Sequence, residues 1–184
     1  MTYRIATLIG SLRKESFNRT VAEALIRLAP DDFEFFEISI GNLPHYNQDD
    51  DDNQADTVRQ MKAAVKGSNG VFIVTPEYNR SVPGVLKNAL DLGSRPYGDN
   101  SWSGLPAGTV GVSPGSTGTA IAQSHLRTSL AFFDMPTLGQ PEMYIQWQDD
   151  LVNEDGAFAD DSKDFFQSWM DTFTEFVRKN AGKA

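Results

Sequence analysis

The segment 10–19, Gly-Ser-Leu-Arg-Lys-Glu-Ser-Phe-Asn-Arg, combines hydroxyl, amide and cationic side chains at the start of a helical pattern. Ser11, Ser16 and Asn18, with the free N–H groups of a helix start, could surround a phosphate monoester, and Arg13 would add positive charge. The segment has one glycine where a dinucleotide fingerprint needs three, and it lacks the GxxxxGK pattern of a P-loop. It therefore predicts either a site for a terminal phosphate or an ordinary capping loop, because serine and asparagine are preferred helix caps.

A second segment, 75–84, reads Thr-Pro-Glu-Tyr-Asn-Arg-Ser-Val-Pro-Gly and follows a strongly apolar run. Its two prolines stiffen the loop, and a stiff loop can hold backbone N–H groups toward the polar edge of a planar ring at little entropic cost. Tyr78 would supply an aromatic contact. The alternative is a proline-rigidified turn that carries an exposed tyrosine.

A third segment, 111–115, matches the G-x-S-x-G pattern of hydrolase nucleophiles, with Ser113 in the nucleophile position. Pro114 has no N–H, so the oxyanion-hole donor that normally follows the nucleophile is missing. The only histidine downstream is His125, and no acidic residue lies between it and Ser113, whereas these hydrolases order their triad as serine, acid, histidine. The segment 115–118 is therefore predicted to be a flexible loop whose N–H groups face the same crevice as the other two segments.

The remaining polar features predict no metal site. The acidic run 49–52 lacks the spaced ligands and the glycine of an EF-hand, which favours a solvated surface segment. His45 and His125 are far apart in the sequence and have no neighbouring candidate ligands.

The composition limits the classes of protein to which the chain can belong. Its 184 residues favour a single domain, 1–184, and its net charge of −9 has the wrong sign for binding nucleic acid or an anionic membrane. The absence of cysteine excludes disulfides, thiolate metal sites and a cysteine nucleophile. No secretory leader or long apolar run occurs, so we expect a cytoplasmic protein without a nucleic-acid or membrane partner.

Strands and helices must alternate along the chain to bring the three segments together. Apolar and β-branched runs predict five strands, at 3–9, 33–38, 70–75, 107–112 and 143–146. Helical periodicity predicts one helix from Ser16 to just before Pro30, and others at 58–65, 83–92, 119–133 and 165–177. This alternation predicts a doubly wound parallel α/β sheet with helices on both faces. In the flavodoxin-like strand order 2-1-3-4-5, the switch point lies between the first and third strands, where the first two segments begin.

Two stretches, 8–19 and 75–95, resemble the NAD(P)H-dependent FMN reductase family of the flavodoxin-like superfamily, which includes bacterial chromate, quinone and azo-dye reductases. The second stretch is highly specific. The similarity in element order runs from Tyr3 to about Val177, while 139–160 matches loosely. The resemblance implies a single FMN-binding domain.

The resemblance also implies which residues hold the cofactor. The FMN phosphate would be held by residues of the first segment, which are Ser11, Arg13, Ser16, Phe17 and Asn18. The isoalloxazine would be lined by Pro76, Glu77, Tyr78 and Asn79, with Ser113 and Gly115 near its pyrimidine side.

The activity implied by the resemblance is electron transfer through the flavin. In this family a nicotinamide, NADH or NADPH, delivers hydride to flavin N5 and leaves, and a second substrate takes its place over the same ring face. The acceptor would be a small molecule such as a quinone, chromate, a ferric complex, an azo compound or free flavin. No protein nucleophile is needed. The alternative is a non-catalytic flavodoxin-type electron carrier.

Two arginines bear on the second substrate. Arg95 is predicted to place positive charge near the substrate pocket across a dimer interface; the alternative is a cation that the dipole favours at the end of a helix. Arg80 departs from the hydrophobic or aromatic residues that often follow Pro-Glu-Tyr-Asn in the family, so the acceptor and nicotinamide preferences stay open. The resemblance favours a homodimer, with a tetramer as the alternative.

Overall fold

The structure, a computed structural model, describes residues 2–182. Five parallel strands form a sheet in the order β2-β1-β3-β4-β5, with β1 at Tyr3–Ile9, β2 at Phe33–Glu37, β3 at Gly70–Thr75, β4 at Ala107–Ser113 and β5 at Tyr144–Gln146. The main helices are α1 (Phe17–Ile26), α2 (Asp56–Lys66), α3 (Gly84–Gly93), α4 (Ala120–Phe132) and α5 (Asp160–Asn180). The predicted strand order and the predicted flavodoxin-like fold are confirmed.

The central strand β3 separates two hydrophobic cores, and all of its residues are buried. Phe72 and Val74 face the core that α1 and α5 cover, whereas Val71 and Ile73 face the core that α2, α3 and α4 cover. A strand with both faces removed from water needs apolar side chains at successive positions. The uninterrupted apolar run therefore predicted this strand correctly.

The predicted boundaries of the last helix were wrong. The helix α5 begins at Asp160, five residues before the predicted start, and continues to Asn180. Its first turn carries two acidic residues, which suit the positive end of a helix, and Phe158 stacks on Phe166 with 3.8 Å between the ring centroids. The prediction followed only the apolar stripe, which begins about one turn into the helix. No helix in the described range combines the length and the apolar character needed to span a membrane.

The acidic connection after β2 is more ordered than predicted. The acidic run 49–52 was predicted to be a solvated surface segment, and it lies within a 3-10 helix, Gln48–Asn53. Asn47 caps this helix, because its side-chain oxygen accepts a hydrogen bond from the Asp49 N–H at 3.2 Å. Local bonding between a side chain and the backbone leaves no periodic signal in the sequence.

The loops after β1, β3 and β4 meet at one edge of the sheet because all the strands run in the same direction. Gly10 ends β1, and its N–H donates a hydrogen bond to the Val74 carbonyl at 2.8 Å. A Cβ atom at position 10 would lie 2.9 Å from the Thr75 hydroxyl and 3.3 Å from Pro76 Cδ. The glycine therefore lets the first two predicted segments lie against each other.

Candidate functional site

The three predicted segments converge on a cleft of about 250 Å³ at the carboxyl edge of the sheet, which we call the first cleft. Its lining includes Ser11, Arg13, Ser16, Phe17, Asn18, Pro76, Glu77, Tyr78, Val112, Ser113 and Pro114. A second cleft, of about 340 Å³, is lined by Glu77, Asn79, Arg80, Ser113, Gly115, Ser116 and Thr117. Because the clefts share two lining residues, all eleven residues predicted to hold the cofactor lie around one continuous depression.

The start of α1 has free hydrogen-bond donors at the first cleft. Ser16 is the buried N-cap, and its hydroxyl oxygen accepts a hydrogen bond from the Arg19 N–H at 3.3 Å. The N–H groups of Phe17 and Asn18 make no hydrogen bond within residues 2–182. Unpaired N–H groups and the positive end of the helix dipole favour an anion at this point. The two interpretations of this segment are therefore compatible, since the capping serine leaves two donors for a phosphate.

The Phe17 ring lies between a cation and a second aromatic ring. The Arg13 guanidinium carbon lies 4.9 Å from the Phe17 centroid, and the Trp147 ring stacks on Phe17 with 4.2 Å between centroids. Trp147 follows β5 and donates its backbone N–H to the Ser113 carbonyl at 2.9 Å. The sequence analysis missed this tryptophan, because it lies in the stretch that resembles the family only loosely. An aromatic residue directly after the last strand was the available signal.

Asn18 ties α1 to the end of β4. Its amide nitrogen donates to the Val112 carbonyl and its amide oxygen accepts from the Val112 N–H, both at 3.0 Å. The backbone hydrogen bonds of Gly111 and Ser113 are directed toward β5. The N–H and C=O groups of Val112, the residue between them, therefore point toward the side of β3. β3 has already ended at Thr75, the partner of Gly111. The Asn18 amide thus takes the place of the missing strand, and its side chain is engaged by the protein.

The second segment contains a tight turn that projects side chains over the site. The backbones of Tyr78 and Ser81 exchange hydrogen bonds at 3.1 and 3.0 Å. Asn79 and Arg80 between them have φ values of 50° and 63°, the left-handed conformation that a type I′ turn requires at both central residues. Pro76 is buried and the Tyr78 side chain is half exposed. The rigid turn with an exposed tyrosine is therefore present, and this tyrosine lines the first cleft. The contact of the segment with a planar ring stays a prediction.

Glu77 closes the N-terminus of α4. One carboxylate oxygen accepts hydrogen bonds from the N–H groups of Ile121 and Ala122 at 3.1 and 3.0 Å, and the other lies 3.2 Å from Arg80 Nη1. The Glu77 side chain is 6% exposed. No side chain of α4 caps its own first turn, so Glu77 supplies the cap from a distant loop. Its carboxylate is therefore held by the protein, and the second segment is fixed to α4.

The serine of the third segment is not paired with a histidine. The Ser113 hydroxyl oxygen accepts a hydrogen bond from the Gly115 N–H at 3.2 Å. His125 instead has its Nδ1 atom 3.0 Å from the Ser81 hydroxyl. The geometry therefore does not support a serine hydrolase. In the loop that follows, the N–H groups of Ser116 and Thr117 have no partner within residues 2–182.

Arg95 lies away from the two clefts within its own chain. It follows the C-terminus of α3, a ten-residue helix that is about 15 Å long and whose first residue, Gly84, is the last residue of the second segment. Its guanidinium lies 5.9 Å from the Tyr46 ring centroid, and its carbonyl accepts a hydrogen bond from the buried Lys62 ammonium. Lys62 and Lys66 also bond to Asp99 and hold the pKa of that carboxyl below its usual value. The predicted role of Arg95 at the substrate pocket stays a prediction.

A test of the Asn18 contact uses the apo protein. Asn18→Ala should lower the free energy of unfolding by about 1–3 kcal/mol, because two buried backbone groups of Val112 lose their partners. Urea denaturation without FMN measures this effect. Ser11→Ala is the control, since the Ser11 hydroxyl accepts only one long hydrogen bond, 3.4 Å from the Arg13 N–H. Unchanged apo stability in Asn18→Ala would show that the side chain serves only the cofactor.

Comparison with known proteins identifies the family to which the chain belongs. The sequence profile of the NADPH-dependent FMN reductase family matches residues 3–149. A 2-hydroxy-1,4-benzoquinone reductase of a Burkholderia species is 46% identical over 97% of this chain and 98% of its own length. A quinone reductase of Pseudomonas putida is 45% identical over 97% of this chain and 96% of its own.

The fold of a known flavoenzyme is also nearly the same. FerB, an NAD(P)H:(acceptor) oxidoreductase of Paracoccus denitrificans, has a TM-score of 0.94 and 39% identity, over 98% of this chain and 100% of its own. The predictions of an oxidoreductase, of FMN as cofactor and of NAD(P)H dependence are confirmed by these matches. The chain belongs to the NADPH-dependent FMN reductase family.

Proposed function

We propose that the protein is an FMN-dependent reductase that takes electrons from NADH or NADPH and passes them to a small acceptor in a ping-pong cycle. The acceptor would be a quinone, chromate, a ferric complex, an azo compound or free flavin. The observation that carries the proposal is the pair of unpaired N–H groups at the start of α1, which open onto a cleft formed by all three predicted segments.

The phosphate end of FMN would be bound by donors of the first segment. The backbone N–H groups of Phe17 and Asn18 lie at the N-terminus of α1, which is the positive end of the helix dipole. The hydroxyl oxygens of Ser11 and Ser16 accept hydrogen bonds from the backbone, so each hydroxyl hydrogen is free to be donated. Arg13 adds a half-exposed positive charge at the rim. A dianion would thus find up to four neutral donors and one cation.

The ring end of FMN would lie along the second and third segments. Pro76 and Tyr78 line the first cleft with apolar and aromatic surface, and the free N–H groups of Ser116 and Thr117 lie in the adjoining second cleft. FMN, when bound, accepts a hydride from a nicotinamide and gives up two electrons to an acceptor. The protein orients the ring and places donors near it, without a nucleophile of its own. Because the depression is open, the nicotinamide and the acceptor would use the same space in turn.

The affinity for FMN and riboflavin tests the phosphate site. Arg13→Ala should weaken FMN binding by about 5- to 30-fold, the value of a charge-assisted contact of about 1–2 kcal/mol, and should leave riboflavin binding unchanged. Quenching of flavin fluorescence measures both dissociation constants. The control is Arg59→Ala on α2, which removes an exposed cation that lines neither cleft. Equal loss of FMN and riboflavin affinity in Arg13→Ala would contradict a phosphate contact.

The two half-reactions test the activity. Anaerobic stopped-flow mixing of the FMN-loaded protein with NADH or NADPH should bleach the flavin absorbance, and a quinone added next should restore it. Steady-state double-reciprocal plots should be parallel, as a ping-pong cycle requires. Intersecting lines would rule out that cycle, and a flavin that no nicotinamide reduces would favour the electron carrier instead.

The proposal includes a cytoplasmic homodimer, or a tetramer built from it. It is supported by Tyr97 and Phe132, large side chains that are 95% and 81% exposed in the single chain. Arg95 lies beyond the end of α3 that is distant from the clefts of its own chain. In the assembly, Arg95 would reach the cleft of a neighbouring subunit. Light scattering of the FMN-loaded protein should give twice or four times the mass of one chain. A measured mass equal to that of one chain would contradict the proposed assembly.

A further inference from the structure

Arg80 lies at the tip of the tight turn and lines the second cleft. Resting on the proposed function, we infer that Arg80 makes the second cleft an anion-binding subsite, through which the enzyme prefers ionised acceptors, such as deprotonated hydroxyquinones, over neutral quinones of the same size. The inference depends on the charge balance of the cleft, on the donors that Arg80 leaves free and on the conformation of its backbone.

The charge balance of the second cleft is positive. Glu77 is the only acidic residue among its lining, and it faces both Arg80 and the first turn of α4. The N-terminus of a helix contributes roughly half a positive charge, so the carboxylate is opposed by about one and a half charges. The chain as a whole carries a net charge of −9. The lining of the second cleft is thus locally positive in a chain whose net charge is negative.

Some N–H donors of the Arg80 guanidinium make no hydrogen bond within the described residues. Its Nη1 atom lies 3.2 Å from a Glu77 carboxylate oxygen and 3.4 Å from the Thr117 hydroxyl. The Nε and Nη2 atoms make no hydrogen bond within the described residues, although a guanidinium presents five N–H groups. The contacts of one nitrogen hold the side chain against the cleft, and the other donors are available to a carboxylate-like oxygen pair.

The backbone of Arg80 is in a conformation that disfavours a large side chain. Its φ of 63° lies in the left-handed region, and the second central position of a type I′ turn is usually glycine. The Glu77 cap on α4 does not require Arg80, because both backbone donors of that cap belong to α4. Strain retained beside a binding cleft, with no need for it in the fold, indicates a function for the side chain.

Hydroxyquinones fit this subsite by their chemistry. A hydroxyl group on a quinone ring is a vinylogous acid, so the oxidised acceptor is an anion near neutral pH. Reduction transfers two electrons and one proton from the nicotinamide by way of the cofactor, and two further protons from water give an uncharged triol. Arg80 would therefore hold the substrate more tightly than the product, which favours product release.

The test compares 2-hydroxy-1,4-benzoquinone with 2-methoxy-1,4-benzoquinone, a neutral acceptor of similar size. In the FMN-loaded enzyme, Arg80→Gln should lower kcat/KM for the hydroxyquinone by about tenfold, chiefly through KM, and that for the methoxyquinone by less than about twofold. Arg80→Lys should keep part of the preference because it keeps the charge. Raising the salt concentration should weaken the preference of the wild type, since the Arg80 side chain is 67% exposed.

A binding measurement separates recognition from turnover. The dissociation constant of the hydroxyquinone for the oxidised enzyme, followed by flavin fluorescence, should rise by a similar factor in Arg80→Gln, with unchanged FMN affinity as the check on folding. Equal losses with both quinones would overturn the inference. So would a loss confined to flavin reduction by NADH or NADPH, which would assign the subsite to the phosphates of the nicotinamide nucleotide. Failure of the proposed function differs from both, because the wild type would then turn over neither quinone.

Discussion

The reciprocal hydrogen bonds between Asn18 and Val112 are the contact on which the site depends. β4 extends past the end of β3, and Val112 would otherwise present a bare N–H and C=O in a buried position. The Asn18 amide satisfies both groups, and in doing so it sets the first turn of α1 against the sheet edge. Leaving a buried N–H or C=O group without a hydrogen bond costs free energy, so this contact is strongly favoured. It therefore restricts the position of the first turn of α1 and of the free N–H donors there. The shape of the first cleft therefore depends on the point at which β3 ends.

The N-termini of α1 and α4 lie at this edge, and they differ in whether a protein group already occupies them. The first turn of α1 is left open. Its capping residue, Ser16, pairs with the Arg19 N–H, and the N–H groups of Phe17 and Asn18 have no partner within residues 2–182. The first turn of α4 is closed by Glu77, whose carboxylate is already the anion that such a terminus favours. Of these two N-termini, only that of α1 is therefore available to an anion. In the proposed function, this difference directs the phosphate of FMN to α1, and α4 is a fixed support for the loops.

The sequence predicted the fold because its signals are periodic and local. The apolar run of β3 and the alternation of elements were sufficient to predict a doubly wound parallel sheet, and the strand order was taken from the flavodoxin-like fold. The composition of the three segments was sufficient to locate the cleft. It did not predict that Glu77 caps a helix more than forty residues away, or that Asn18 completes a strand pairing, since both depend on tertiary contacts. Trp147 was missed for a different reason: it lies in the stretch that resembles the family only loosely, and packing brings it onto Phe17.

The turn that carries Arg80 is held by the backbone of its two flanking residues, and the neighbouring Glu77 keeps its helix contacts whatever side chain stands at position 80. A single codon change there alters the charge over the cleft and leaves the ring-binding loop in place. With the role proposed for Arg80, a substitution at position 80 would change the range of acceptors and would leave the turn and the helix cap intact.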